Sequence, residues 1–369
     1  MNVGLYVSRA ARFFGDRVAV YDGARRLTFQ GLEDRTNRLA HALQALGVQV
    51  GDRVALALPN SIEWIEAEFA LTKVGAMTAP LGMRLHVQEM ARVIGVSGAS
   101  LIITDRPTCE RLGAVLPEPR PPMIVLGAGT AGDGRLLHDY EELVSRGAST
   151  PICVEVDEER DGRVMRFTSG TTGRPKGVFL SHRNWLANAY GLLLDRWNLQ
   201  RDDVVLATSQ YSHAGGLWLV PALIRGAAIQ VVDKFDAEEV VRCIETGHAT
   251  VLQLVPTALR RILDIPGIAD RDLGALRSLH YGGAPIEAST LGEALEVIGQ
   301  KLVQGYGLNE ACMVCALGPQ DHPRLIGRAG WQQPLGRETA LAEVMLADAE
   351  GRPVPDGEVG EIALRGRLV

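Results

Sequence analysis

Hydrophobic and polar positions alternate along this chain in two different periods. From Gly31 to Leu46 the apolar residues Leu32, Leu39, Ala42, Leu43 and Leu46 fall at helical spacing, and Gly47 supplies a stop. The run Leu27-Thr28-Phe29 before them reads as a short strand, with Thr28 placed as a cap or turn residue. Gly51-Asp52 turns the chain into a strand from Arg53 to Leu58. A second helix, Ser61 to Val74, ends at Gly75, and Met77 to Leu81 is the next strand. Further strands are expected at Val204–Thr208, Ile229–Val232, Val251–Val255 and Leu276–Tyr281, with helices at Ala237–Thr246 and Thr257–Leu263. Helices alternating with strands across short Gly or Pro joints predict an α/β fold with largely parallel sheets. Near the end, Ala340–Leu346 and Val359–Leu364 flank a segment rich in Gly, Pro and Asp and predict a β-hairpin.

The stretch from Arg106 to Pro151 is loosely patterned. Within it Gly127-Ala-Gly129-Thr-Ala-Gly132 follows a plausible strand, Met123–Leu126, and matches G-x-G-x-x-G. A dinucleotide site needs a helix to open on the last glycines, whereas Asp133-Gly134 prolongs the loop, so a surface turn is expected.

Composition narrows the classes of function. With 369 residues, 46% of them hydrophobic, the chain can bury a large core in two or three domain-sized units. A net charge of −6 argues against a nucleic-acid-binding surface, so any phosphate must be held by local groups. Met1 to Phe14 has no apolar run of signal-peptide length. The most apolar later stretch, Gly216–Val232, is interrupted by Pro221 and Arg225 and is too short for a membrane span. No integral membrane segment and a cytoplasmic location are the expectations. The cysteines, at 109, 153, 243, 312 and 315, are odd in number and scattered. Only Cys312-Met-Val-Cys315 has ligand-like spacing, and without a second pair it reads as two thiols beside an apolar core.

The densest chemistry lies in Arg166–Asn184. Val164–Phe167 reads as the end of a strand, Thr168–Gly177 as a loop and Ser181–Leu194 as a helix. The glycines of such a loop let backbone N–H groups turn toward an anion, and Thr168, Ser169, Thr171 and Thr172 add O–H donors. Lys176 adds a full positive charge, and Pro175 stiffens the backbone before it. Gly-x-x-x-x-Gly-Lys-[Ser/Thr] cannot be laid over the stretch in any register. A second motif, Gln304-Gly305-Tyr306-Gly307-Leu308-Asn309-Glu310, offers an amide, an aromatic face between glycines and a carboxylate suited to Mg²⁺. The strand ending in Gly282-Gly283-Ala284-Pro285 presents bare backbone to a flat ring, and His213 precedes Gly215-Gly216, where backbone or ligand can approach closely.

Thr168-Ser169-Gly170-Thr171-Thr172-Gly173-Arg174-Pro175-Lys176-Gly177 resembles, at every position, the phosphate loop of the adenylate-forming superfamily, which includes acyl-CoA synthetases and adenylation domains. Asn37-Arg38-Leu39-Ala40, Gly51-Asp52-Arg53-Val54, Lys73-Val74-Gly75-Ala76, Pro80-Leu81 and Arg84-Leu85 are similar to its structural blocks. The resemblance implies a large N-terminal domain over residues 1–320. Its two interleaved α/β subdomains would cover roughly 61–215 and 15–60 with 220–320, followed by an incomplete small β-barrel over 321–369 that Gly357–Ile362 resembles.

For the chemistry, the resemblance implies activation of a fatty or aryl carboxylic acid by ATP to an acyl-adenylate, followed by transfer to CoA. It assigns Lys176 and the hydroxyls of Thr168–Thr172 to the phosphates, and Glu310 with Thr168 to Mg²⁺. Tyr306 and Gln304 fall to adenine, Gly282–Pro285 to the adenine-facing loop bordering the acyl pocket, and His213, with Tyr211 and Gly215, to the acyl side. Asn309 departs from the usual Thr or Ser beside the phosphates, and Ser212 from the usual aromatic before the histidine. The family continues through a ribose-binding aspartate, a hinge and a mobile domain with a catalytic lysine, none of which lies in these residues. Leu364–Val369 reads as an interrupted strand, so an N-terminal fragment is expected. Loading of a carrier protein, or binding of nucleotide without turnover, are the alternatives.

Overall fold

The computed structural model describes residues 1–127, 137–168, 175–195, 198–324 and 333–369, and of Thr168 the backbone alone. The chain divides into two compact units, one of Met1–His182, Gln200–Asp202 and Ser209–Asp233, the other of Arg183–Leu199, Asp203–Thr208 and Lys234–Val369.

The first unit carries a seven-stranded sheet. Its order is Leu137–Asp139, Met123–Leu126, Leu101–Asp105, Arg53–Ala57, Met77–Pro80, Gly162–Thr168, Lys176–Ser181. All neighbours are parallel except the last pair. Helix Phe29–Ala45 starts two residues ahead of the Gly31 expected from the pattern and takes in Phe29, read as strand, because Thr28 is its cap: the Thr28 hydroxyl accepts the Gly31 N–H at 3.0 Å. Helix Ile62–Lys73 is capped in the same way by Ser61 on the Trp64 N–H. Gly47 and Gly75 follow these helices with φ of +91° and +74°, a conformation that penalises any side chain. Buried residues of helix Val87–Ser97 and of the strands, among them Met90, Ile94, Ile102 and Met123, form a continuous core. A further pairing joins Val18–Asp22, parallel to Ala228–Gln230 and antiparallel to Arg25–Thr28.

The second unit holds parallel strands Val204–Ala207, Val251–Leu254, Ser278–Gly282 and Leu302–Leu308, continued antiparallel by Cys312–Leu317 and Arg337–Glu338. Ala342–Ala347 pairs antiparallel with Glu361–Gly366, the hairpin expected from the pattern. Cys312 and Cys315 are both buried, with Cys315 packed among Ala187, Val314 and Leu368.

Local differences from the sequence reading have simple causes. Lys176 and Gly177 belong to a strand, not to the loop, because Val178, Phe179 and Leu180 pair back across Arg166, Met165 and Val164. The loosely patterned stretch holds helices Arg106–Gly113 and Tyr140–Arg146, capped by Asp105 and Asp139. Helices of so few turns leave almost no periodicity to read. The turn read at Gly127–Gly132 lies, beyond Gly127, outside the described residues. Among the described residues no helix is long and apolar enough to cross a membrane.

Candidate active site

The two ends of the hydroxyl-rich loop meet on one antiparallel pair. Thr168 stands opposite Lys176, and Phe167 opposite Gly177, so the chain leaves the sheet and re-enters it at adjacent positions. The residues between, Ser169, Gly170, Thr171, Thr172 and Gly173 with Arg174, lie outside the described residues, as does the Thr168 side chain. Lys176 is exposed and has no partner among the described residues. An ammonium group held on a strand and not neutralised by a neighbour fits a phosphate ligand.

His213 sits in the same unit on the turn entering a short 3₁₀ helix, Ala214–Trp218. Its Nδ1 lies 2.8 Å from the Ser212 hydroxyl, and its carbonyl oxygen accepts from Arg166 Nη2 at 3.1 Å. Burial, then the positive charges of Arg166 and Arg84, hold the imidazole below its usual range. A neutral His213 can donate or accept a hydrogen bond toward an acid but supplies no charge. Its ring packs on Gly82, where a Cβ would come within 3.1 Å of Cε1.

Tyr211 is buried against Trp64, ring centroids 5.4 Å apart, and its backbone N–H donates to Asn60 Oδ1 at 2.8 Å. The same Asn60 gives its amide hydrogens to the carbonyls of Ser209 and Val232, at 3.1 and 3.0 Å, and so pins the turn that presents His213. Gly215 and Gly216 are required by this turn itself. A Cβ on either would stand 2.3 Å from a backbone oxygen, that of Ser209 or of Tyr211. The sequence reading assigned Asn60, Gly82 and Arg166 no role, although Arg166 opens the stretch that holds the hydroxyl-rich loop.

The second unit gathers the other candidates on neighbouring strands. Gly282 pairs with Gly305 and Tyr281 with Gln304, which sets the Gly282–Pro285 turn beside Gln304, Gly305, Tyr306 and Gly307. Tyr306 is half-buried and backed by Cys315, its partner on the next strand. Gln304 is buried and already engaged: its Nε2 donates to the Pro334 carbonyl at 2.7 Å, and its Oε1 lies 3.1 Å from the Tyr281 hydroxyl. The other neighbour of that hydroxyl is His322 Nε2, at 3.0 Å. Asn309 and Glu310 follow on the turn after the strand, and the exposed Glu310 carboxylate has no partner among the described residues. One free carboxylate fits Mg²⁺, which takes one or two protein oxygens and completes its shell with water and phosphate. Among the described residues no group of three or more His, Cys, Asp or Glu side chains could hold a metal by itself.

Largely parallel α/β units, a hydroxyl-rich sequence ahead of an exposed lysine and a Gly-Tyr-Gly strand together define the adenylate-forming class of enzyme. Within that class, the chain belongs to the AMP-binding enzyme family, whose model matches residues 7–369. It is 34% identical over 368 residues to a feruloyl-CoA synthase of an Amycolatopsis species, covering 99% of this chain and 70% of that protein. It is 33% identical over 363 residues to the medium/long-chain-fatty-acid–CoA ligase FadD8 of Mycobacterium tuberculosis, covering 96% of this chain and 62% of the relative. Among solved structures, the amide bond synthetase McbA of Marinactinospora thermotolerans matches with a TM-score of 0.87 and 28% identity, over 98% of this chain and 71% of McbA.

Proposed function

We propose that this chain activates a carboxylic acid, fatty or aryl, by transferring the AMP portion of ATP to it, and that the acyl group is then passed to CoA. The observation that carries the proposal is the pairing of Thr168 with Lys176, which brings together both ends of the loop that resembles the family's phosphate loop. A carboxylate oxygen attacks the α-phosphorus; a new P–O bond forms, the α–β bridging bond breaks, and pyrophosphate leaves. The acid needs no base, being ionised near neutral pH. Orientation and charge neutralisation are the protein's tasks.

In this proposal Lys176 and the hydroxyls of Thr168, Ser169, Thr171 and Thr172 bind the β- and γ-phosphates. Glu310 holds Mg²⁺, which would offset the charge developing on the leaving pyrophosphate. Tyr306 stacks on adenine, with Gln304 and Gly282–Pro285 at its edge. His213, kept neutral, hydrogen-bonds on the acid side, with Tyr211 and Gly215 shaping its turn. Asn309 can still donate a hydrogen bond from its amide where the family has a hydroxyl. The feruloyl and fatty acids in the names of the relatives set the acids to try first. The McbA likeness makes an amine the second acceptor to try after CoA.

The test is carboxylate-dependent exchange of labelled pyrophosphate into ATP, with ferulate, benzoate and medium- and long-chain fatty acids. Exchange with any of them supports acid activation by this chain. ATP binding with no exchange for any acid would replace the proposal with nucleotide binding without turnover.

A further inference from the structure

We propose that Arg166 is a positioning residue for the acid: it fixes the turn that presents His213, and its buried charge draws the ionised carboxylate to that side of the site. This deepens the proposed acid activation and rests on the assignment of His213 to the acid.

Arg166 lies within strand Gly162–Thr168, opposite Val178, so the sheet fixes its backbone. Its side chain is buried, and Nη2 donates to the His213 carbonyl oxygen at 3.1 Å. The same oxygen accepts the Gly216 N–H at 3.3 Å, within the short 3₁₀ helix Ala214–Trp218. The guanidinium is thus tied to the carbonyl at which the His213 turn passes into that helix.

Charge matters here because the reaction brings an anionic carboxylate against an anionic triphosphate, and a neutral His213 supplies nothing against that repulsion. An arginine guanidinium keeps its proton in proteins. After burial, Arg166 is the larger of the two charges that hold the His213 imidazole below its usual range, so its field reaches the ring. The smaller is Arg84, exposed on a turn in which the Leu85 N–H donates to the carbonyl of Gly82, the residue on which the ring packs. Ser212, whose hydroxyl lies 2.8 Å from Nδ1, carries no charge. A field that disfavours a proton on His213 favours a carboxylate beside it, by the same Coulomb attraction with the sign reversed. Solvent screens the exposed Arg84 more than the buried Arg166.

The experiment compares the native chain with Arg166→Met, which removes the charge and the donor, and Arg166→Lys, which keeps a charge. Two quantities are read. One is the pH titration of His213, by NMR of histidine labelled at Cε1, with His213→Asn for assignment. The other is KM for the acid and for ATP in pyrophosphate exchange, with ferulate and with decanoate. In Arg166→Met the His213 midpoint should rise toward the ordinary histidine value. KM for the acid should rise about tenfold, the weight of a single nearby charge, with KM for ATP within about twofold of native. Arg166→Lys should stay close to native in both. A merely structural role would lower exchange in both variants without a titration that follows the charge. An unmoved midpoint or acid KM in Arg166→Met, or an Arg166→Lys indistinguishable from it, overturns the inference. If Arg166→Met does not fold, Arg166→Gln, which keeps a polar group at the buried position, takes its place under the same expectations. A native chain that gives no exchange with either acid would instead overturn the acid-activation reading. The titration needs no substrate and still decides whether Arg166 acts on His213, so the two failures are distinguishable.

Discussion

A Cβ on Gly282 would stand 2.2 Å from the carbonyl oxygen of Gly305, its partner on the adjacent strand. Backbone oxygen cannot move aside as a side chain can, so Gly282→Ala must part Ser278–Gly282 from Leu302–Leu308 beside the proposed base-binding residues. Overpacking of this kind costs about 1–3 kcal/mol, and a thermal melt should show a drop of several degrees together with weaker AMP binding. A native melting temperature would show that the two strands can separate at no cost. The glycines were legible in the sequence as sites of close approach, but not what approaches. At Gly282, Gly215 and Gly216 it is the protein's own backbone. The partners that orient the candidates were not legible at all. Asn60, Arg166 and His322 reach Tyr211, His213 and Tyr281 across gaps in sequence that no local pattern bridges.

At the scale of elements, helices Phe29–Ala45 and Ile62–Lys73 are joined through a buried charge. Lys73 Nζ is 2.6 Å from Glu33 Oε2 and 2.5 Å from Asn37 Oδ1, and the lysine side chain is fully buried. Removing one partner of such a pair leaves a desolvated charge and typically costs about 3–5 kcal/mol, whereas replacing both with apolar groups is near neutral. Glu33→Met should therefore be strongly destabilising in urea unfolding, and Glu33→Met with Lys73→Met should recover most of the loss. Equal stability of the single and double variants would mean that Lys73 finds water or another acceptor. Periodicity showed helix Phe29–Ala45, because Leu32, Leu39 and Leu43 repeat over several turns, whereas helix Ile62–Lys73 is buried on every side and was legible only from its bounds at Ser61 and Gly75. It could not show this lock, since Glu33, Asn37 and Lys73 look like ordinary solvent-facing residues. Strand Lys176–Ser181 was missed for a related reason: its pairing with Gly162–Thr168, not its own composition, makes it a strand.

Over the whole molecule, each unit carries a histidine that the fold holds neutral. His182 in the first unit is fully buried; its Nδ1 accepts the Val3 N–H at 3.2 Å, and its Nε2 has no hydrogen-bond partner among the described residues. Burial, then the positive charges of Arg163 and the chain's N-terminal amine, push its pKa down to about 3. His280 in the second unit is pushed down to about 3 by burial. An unfolded histidine titrates near pH 6.5. Between about pH 6.5 and pH 3 the unfolded chain therefore binds protons at these positions that the folded chain does not, and stability falls as pH falls. The stability they contribute is fully present above pH 6.5, and each should account for about 1.4 kcal/mol of loss per pH unit inside the window. His182→Asn keeps an acceptor for the Val3 N–H but has nothing to titrate. Urea unfolding of the first unit's signal from pH 7.5 to pH 4.5 should fall less steeply in this variant, by about that slope. Identical slopes would mean that His182 takes up its proton in the folded state and that its burial is relieved before the unit unfolds.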